Sequence, residues 1–533
     1  MKLQPEIVYR TEDIPPEEIL DLLVETETDR TLIDSLKGRS PVILKGSRGV
    51  GKSFLMRAAE AEIKEEFSSQ KILPVYVTFA QAGLIRQDTP DSFLMWMMAK
   101  LCTNILRAAS TFGLTLPGGS AITAIQGSTA IGSYSGMEKV EAIFESSWKH
   151  EPQETLPVSV PDPEVLRDAV EDLCRFTGIR RVILFVDEAA HVFIPEQQRQ
   201  FFTLMRDLRS PYLTVKAAVY PGATSYGHAF QPTHDATVLS VDRQVTDPEY
   251  ASAMRSIVYK QDGALKRQIE PNGDVFDTLA YAAAGNPRIL LKTLLMRSPF
   301  NRRNTQETIR EYYRGDIWRE HSNLAERYPG HRELIDWGRT FIEDTVLSTL
   351  YARNVGRSSQ TSSFFWIHRD APQAVREALR LLCYSGIVQE GDSGMRATRG
   401  EIGTRYMVNL GCLFAQDAEP IKFGQNVRQH LYVKRMVEFG ANHSSYRPID
   451  KFSLDAVNST GNQALEAQLE RPISYLDVTD FQRAKLEELG FRTIGEVLKS
   501  DEEAFKRAYY VGTKRARQMR NAAVTAVLEY LSG

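Results

Sequence analysis

Over the first 245 residues the apolar positions form two kinds of pattern. Short, mainly apolar runs occur at 42–44, 72–79, 181–186, 213–220 and 236–241. Such runs predict strands, and the five consecutive apolar residues at 182–186 mark one buried on both faces, as in a parallel sheet. Between them, apolar residues recur at helical spacing, which predicts helices over 52–67, 91–106, 163–177 and 195–208. In 91–106, Phe93, Leu94, Met97, Met98 and Leu101 share one face and read as core. Pro15-Pro16-Glu17-Glu18 is a good helix start, with proline in the first turn and acids after it. Five strands alternating with helices call for an α/β fold, a doubly wound parallel sheet.

The texture changes at 112–162 to Gly, Ser, Thr and Pro, which predicts a mobile insertion in this first domain, either a tether or a partner-sensing loop. From 248 to 297 the pattern is helical, interrupted by Ala284-Gly285-Asn286-Pro287-Arg288, where glycine ends one helix and proline starts the next. Residues 300–340 are charged and helical (Arg302, Arg303, Arg310, Arg314, Arg319), either a solvated face or a phosphate-contacting one. An amphipathic helix at 372–382, then a hairpin turned at 391–394, has the layout of a winged helix. Its Arg376, Arg380, Arg396 and Arg399 would face DNA, unless the domain serves protein contacts, for which Glu377, Glu390 and Asp392 also speak. Residues 418–470 read as a helix and a polar linker, loosest at 458–462, before a last helical module.

Length and charge narrow the classes. A chain of 533 residues exceeds a single core, and 42% hydrophobic with 25% charged residues is ordinary globular composition. The expected boundaries are 1–245, 246–335 (a helical lid), 336–420 (winged helix), 421–470 (linker) and 471–533. With a net charge of −3, nucleic-acid binding would depend on local patches. Cys102, Cys174, Cys383 and Cys412 form no C-x-x-C pair, which argues against a zinc site or a disulfide framework. Without a signal-like start or a membrane-length apolar run, the expected location is the cytoplasm.

The sharpest chemistry lies at Gly46-Ser47-Arg48-Gly49-Val50-Gly51-Lys52-Ser53, between the first strand and the helix that includes Phe54. This is G-x-x-x-x-G-K-[ST] in its strand–turn–helix context, a phosphate-binding loop. Its glycines let successive N–H groups turn inward, and the helix dipole points at the same place. Lys52 would reach the β- and γ-phosphates, and Ser53 would offer its hydroxyl to Mg²⁺. The apolar run at 182–186 ends in Asp187-Glu188, a costly acid pair unless it serves metal and water: Asp187 for Mg²⁺, Glu188 to polarise the attacking water. Near the end of the fourth strand, Thr224 or Ser225 either contacts the γ-phosphate or simply forms the turn. Arg288 sits in a helix's first turn, where a cation is poorly placed unless it reaches a phosphate. No N-K-x-D-like segment is present, so ATP is expected over GTP.

Together the phosphate loop, Asp187-Glu188 and Gly285-Asn286-Pro287-Arg288 resemble AAA+ ATPases over residues 20–300, nearest the origin-recognition and replication-initiator branch and its signalling relatives. The resemblance implies that Arg288 is a sensor-2 arginine and that ATP binds between subunits of an oligomer. Arg206, Arg209 and Arg243 are all candidates for its arginine finger, and no clean sensor-1 asparagine is found. Residues 472–533 resemble helix-hairpin-helix modules, most closely the C-terminal domain of the bacterial RNA polymerase α subunit. That implies a tight turn at Gly512 meeting a DNA phosphate. Lys506, Arg507, Lys514, Arg515, Arg517 and Arg520 form a cationic patch with no acid between 504 and 520, with Gly512, Lys514, Arg515 and Arg517 the expected contacts. A protein-interaction role for the tail stays open. The whole reads as an ATPase using ATP and Mg²⁺ and acting on double-stranded DNA. The alternative is a host-defence signalling switch that oligomerises and recruits a protein effector.

Overall fold

The computed structural model describes residues 7–82, 85, 91–127, 136–147, 156–189, 195–221, 224–227, 229–398, 400–450 and 463–531. The chain divides into two compact units. The first comprises Met1–Arg243, Ser252–Lys266 and Asn286–Leu291, and the second Gln244–Ala251, Arg267–Gly285 and Lys292–Gly533.

The first unit is built on a five-stranded parallel sheet: β1 (Val42–Lys45), β2 (Ile72–Thr78), β3 (Arg181–Asp187), β4 (Leu213–Val219) and β5 (Thr237–Ser240). Their order is β2-β3-β4-β1-β5, the doubly wound α/β fold that the alternating pattern predicts. The run at 182–186 reads as a doubly buried strand because both faces of β3 are covered, whereas the edge strand β5 is mostly exposed. Ile183 and Phe185 of β3 pack with Val42 and Leu44 on one face, and Val182, Leu184 and Val186 pack on the other. Burying each such side chain contributes roughly 1.5–3 kcal/mol. Lys216 stands in the fully buried β4, its ammonium donating to the carbonyls of Ser35, Gly38 and Ser40 at 3.0, 2.9 and 2.6 Å. It thus closes the C-terminal end of the helix Glu27–Lys37, where a cation suits the dipole.

The insertion at 112–162 differs from the mobile loop its composition predicts. It contains the helices Ser120–Gln126 and Gly136–Ser146, whose Ile122, Ile125, Met137 and Val140 are buried in the core. Lys100, on the helix Ser92–Thr111, also donates to Glu141 and Glu145 of the second of them at 3.0 and 2.5 Å. Residues 128–135 and 148–155 lie outside the described residues.

The second unit combines helices with a mixed sheet: β6 (Phe364–His368), β7 (Val388–Glu390), β8 (Met395–Arg396), β9 (Ile402–Val408) and β10 (Met436–Phe439). The hairpin expected at 386–398 does not form by itself. β7 and β8 each pair antiparallel with β9 rather than with each other. One helix, Gln373–Tyr384, separates β6 from β7. The stretch 418–470, expected as a helix and a polar linker (421–470), differs by also containing a strand. It holds the helix Pro420–Gln429 and β10, which pairs in parallel with β6, while 451–462 lie outside the described residues. At the C-terminus, helices Asp480–Glu488, Ile494–Lys499, Glu502–Phe505 and Thr513–Leu531 pack around Leu486, Val497, Phe505, Ala516 and Met519. The four cysteines are buried and form no disulfide. Among the described residues, no helix is long and apolar enough to cross a membrane.

Candidate functional site

The loop 46–53 leaves β1, which lies between β4 and β5, and enters the helix Lys52–Glu65. Its carbonyls are all engaged. Those of Gly46 and Ser47 accept from Lys52 Nζ at 2.6 and 3.1 Å. The Arg48 carbonyl accepts from Asn286 Nδ2 at 2.7 Å, and that of Gly49 from the Arg288 N–H at 3.4 Å. Val50 O accepts from Arg243 Nη1 at 3.0 Å, and Gly51 O from the Leu55 N–H at 3.0 Å. The N–H groups from Ser47 to Phe54, by contrast, donate to no acceptor among the described residues. Backbone groups are ordinarily paired on both sides, so a loop with its acceptors used and its donors free is built for an anion.

Long-range contacts impose this one-sidedness. Asp29 closes a capping box with Thr26 and receives Arg243 Nη2 at 3.1 Å, aiming that guanidinium at Val50. Asn286 caps its own helix by accepting from the Ile289 N–H at 3.2 Å while holding Arg48. Gly49 and Gly51 have φ of 90° and 106°, where an L side chain is strained. A Cβ on Gly46 would fall 2.7 Å from Val50 Cγ2, and one on Gly49 2.7 Å from Asn286 Oδ1.

Around the loop the charges are buried and coupled. Lys52 is buried against the Tyr220 ring, its Nζ 4.1 Å from the centroid. Burial pushes its pKa down to about 8, against the pull of Asp187 and Asp242, and Arg288 lowers it further. Asp187 ends β3 with its Oδ2 accepting from Tyr76 Oη at 2.5 Å and its Oδ1 from the Glu188 N–H at 2.9 Å. Glu188 has a φ of 56°, and burial, then Asp187, raises its pKa above the ordinary carboxylate value. Arg57 lies 3.3 Å from the centroid of the Tyr76 ring, fixing the phenol that holds Asp187. Tyr76, Tyr220, Arg243 and Asn286 belong to this site and are invisible to motif reading. The parallel register of β2 on β3, with Thr78 opposite Asp187, is the signal that would have found Tyr76.

The donor set fits Mg²⁺ bound with a nucleotide. The Ser53 hydroxyl opens the helix without a protein partner among the described residues, and Asp187 is a buried, oriented carboxylate. Both are hard oxygen donors of the kind that ion takes. No group of three or more His, Cys, Asp or Glu side chains able to hold a metal occurs among the described residues.

Other candidates are placed differently. Thr224 bonds the Tyr220 carbonyl at 2.8 Å and is a turn former, and Ser225 accepts from Arg199 at 3.3 Å. Arg243 braces its own chain's loop, and Arg206 bonds Asp207 and the Ala229 carbonyl, while Arg209 is exposed. Arg288 does lie by the loop, its Nε donating to the Tyr9 carbonyl at 3.3 Å. In the C-terminal module Lys514 and Arg515 are exposed, but Arg517 is not a surface contact. It pairs with Glu502 at 2.8 Å and donates to the carbonyls of Asp370 and Ala441. Its acid partner stands fifteen positions earlier, outside the window that made the patch look purely basic. The left-handed residue of the turn is Tyr510, with φ 67°, instead of Gly512. Arg376 and Arg396 are exposed, Arg380 pairs with Glu377 at 2.8 Å, and Arg399 lies outside the described residues.

No protein-family model matches the chain, and no curated protein matches it. Among solved structures it is similar to a Walker-type ATPase of Pyrococcus abyssi, at 16% identity over 80% of this chain and 99% of that one, TM-score 0.37. It is also similar to the Aeropyrum pernix ORC1 protein in complex with DNA, at 16% identity over 78% and 94%, TM-score 0.31. A third is Drosophila ORC bound to DNA, at 12% identity over 76% and 95%, TM-score 0.24. Likenesses this distant fix neither family nor activity.

Proposed function

We propose that the first unit binds and hydrolyses ATP as an AAA+ ATPase of the origin-recognition-like branch, and that the nucleotide governs assembly on double-stranded DNA. The observation that carries the ATP reading is the loop whose carbonyls from Gly46 to Gly51 are engaged while its N–H groups from Ser47 to Phe54 stay free. Those donors, Lys52 and Arg288 would surround the β- and γ-phosphates. Ser53 and Asp187 would hold Mg²⁺, which supplies neutralisation of charge on the transferring phosphoryl group. Glu188, with its raised pKa, would accept a hydrogen bond from the attacking water and orient it.

The DNA reading rests on the C-terminal module, where Arg507, Lys514 and Arg515 are exposed. Contact with phosphates by so few cations would be weakly sequence-selective and salt-dependent. A neighbouring subunit would supply the arginine finger, with the exposed Arg206 and Arg209 the candidates, since Arg243 braces its own loop.

Two measurements test this. Calorimetric titration of Mg-ATP into the full chain should give binding that Lys52→Ala abolishes, and equal heats for both proteins would end the ATP reading. A duplex shift assay at several salt concentrations should show binding lost in Lys514→Glu with Arg507→Glu. Binding unchanged by that pair, alongside ATP-dependent oligomerisation, would favour the signalling switch with a protein effector.

A further inference from the structure

Four of the large apolar side chains exposed among the described residues (Tyr475, Phe481, Tyr509 and Tyr510) lie after residue 471. Three form one surface. Tyr509 and Tyr510 are 72% and 69% exposed, with ring centroids 4.3 Å apart. Arg515 joins them to Phe481. Its guanidinium lies 4.7 Å from the Phe481 centroid, and its Nη1 donates to the Tyr510 carbonyl at 2.6 Å.

Tyr510 is the informative residue. Its φ of 67° is a conformation that glycine adopts freely and an L side chain adopts at a cost. Strain of this kind persists where something repays it. Burial in this chain does not, because most of the ring is in solvent. The strain instead sets a second aromatic ring outward beside the first.

The charges around the rings fit the same purpose. Arg507 and Lys514 are exposed, whereas Glu502 is paired with Arg517 and Glu503 with Lys506, and Asp480 beside Phe481 lies 3.4 Å from Arg483. Aromatic faces interleaved with free cations, their acids paired away, complement an anionic polymer with exposed π-faces.

We propose that Tyr509, Tyr510 and Phe481 form a stacking platform for unpaired nucleobases of a single-stranded nucleic acid, with Arg507 and Lys514 on the flanking phosphates. The proposal rests on the reading of the C-terminal module as a nucleic-acid binder and refines it from duplex backbone contact to recognition of melted strand.

The test uses the full chain and fluorescence anisotropy with three labelled probes: oligo-dT and oligo-rU of about 15 nucleotides and a DNA duplex of equal length. Oligo-dT should bind more tightly than the duplex, and Tyr509→Ala and Tyr510→Gly should each weaken it roughly 5- to 100-fold. Tyr510→Phe, which keeps the stacking face, should retain wild-type affinity. The difference between oligo-dT and oligo-rU reports whether DNA or RNA is preferred on the shared platform. Tyr510→Gly should also raise the thermal midpoint, since glycine relieves the strained φ, whereas a structural tyrosine would lower it when removed. Single-strand affinities of Tyr509→Ala and Tyr510→Gly within twofold of wild type overturn the platform and leave the duplex reading standing. Wild-type protein that binds none of the three probes overturns both.

Discussion

Gly49→Ala offers the most direct trial of the loop, because its cost can be worked from the surroundings and compared with a neighbour. At φ 90° an alanine is strained, by roughly 1–2 kcal/mol. Its Cβ would lie 2.7 Å from Asn286 Oδ1 and 2.8 Å from Arg288 Cβ, so Asn286 must move. That breaks its bonds to the Arg48 carbonyl and the Ile289 N–H, worth about 0.5–1.5 kcal/mol each. The free protein can relax by distorting the loop. Bound ATP needs the native loop, so about 2–5 kcal/mol returns as lost affinity, a rise in Kd of roughly 30-fold or more. Gly51→Ala has the same kind of strain at φ 106° but open space, with Arg243 Nη1 the nearest atom at 4.0 Å. Only the strain of about 1–2 kcal/mol should apply there, roughly a 5- to 30-fold loss. Titration calorimetry with Mg-ATP on both variants, with circular dichroism to verify folding, measures the difference. Equal losses, or the larger loss at Gly51, would refute the placement of Asn286 against the loop.

Three further outcomes follow from the same geometry. Tyr76→Phe removes the 2.5 Å bond that orients Asp187, so kcat for phosphate release should fall about tenfold or more while the Kd for ATP stays within about twofold; a change in Kd alone would contradict a positioning role. Because burial pushes the Lys52 pKa down to about 8, the free protein loses this cation as pH rises through that value, while a bound polyphosphate favours the protonated form. ATP affinity should therefore be flat below about pH 7.5 and fall by up to about tenfold per unit above pH 8, with proton uptake on binding visible as buffer-dependent heats; a flat profile to pH 9.5 would refute the shift. Arg517→Ala should lower thermal stability without changing the salt slope of DNA binding, because this arginine is paired with Glu502 and two carbonyls; a slope reduced by about one unit would place it on a phosphate after all.

How much was legible in the sequence differs by the range of the interaction. The run at 182–186 was readable because β3 is covered on both faces, a property of the run itself, whereas β5 at the sheet edge is mostly exposed. The helices Ser120–Gln126 and Gly136–Ser146 were not readable. Each is short, and the glycine- and serine-rich sequence around it hides a pair such as Ile122 and Ile125. What stabilises them is the core they meet, and no local pattern states that. The cationic patch failed for the complementary reason. Arg517 looked free because its partners, Glu502, Asp370 and Ala441, are remote in the chain.

The phosphate loop combines both cases. Its glycines and Lys52 are written locally and specify where a backbone can turn. They do not specify which way the peptide groups face. That is decided by donors from distant parts of the chain: Arg243 on Val50, with Asp29 behind it, and Asn286 on Arg48. Each takes a carbonyl away from the inner side and leaves the adjacent N–H for an anion. Lys52 shares in this arrangement, since its bonds to the Gly46 and Ser47 carbonyls occupy the ammonium that a phosphate would claim. Binding would exchange two neutral acceptors for a charged one, so the gain is a difference between hydrogen bonds and not the full strength of an ion pair. The identity of the motif thus locates the site, while its strength depends on residues that no motif contains.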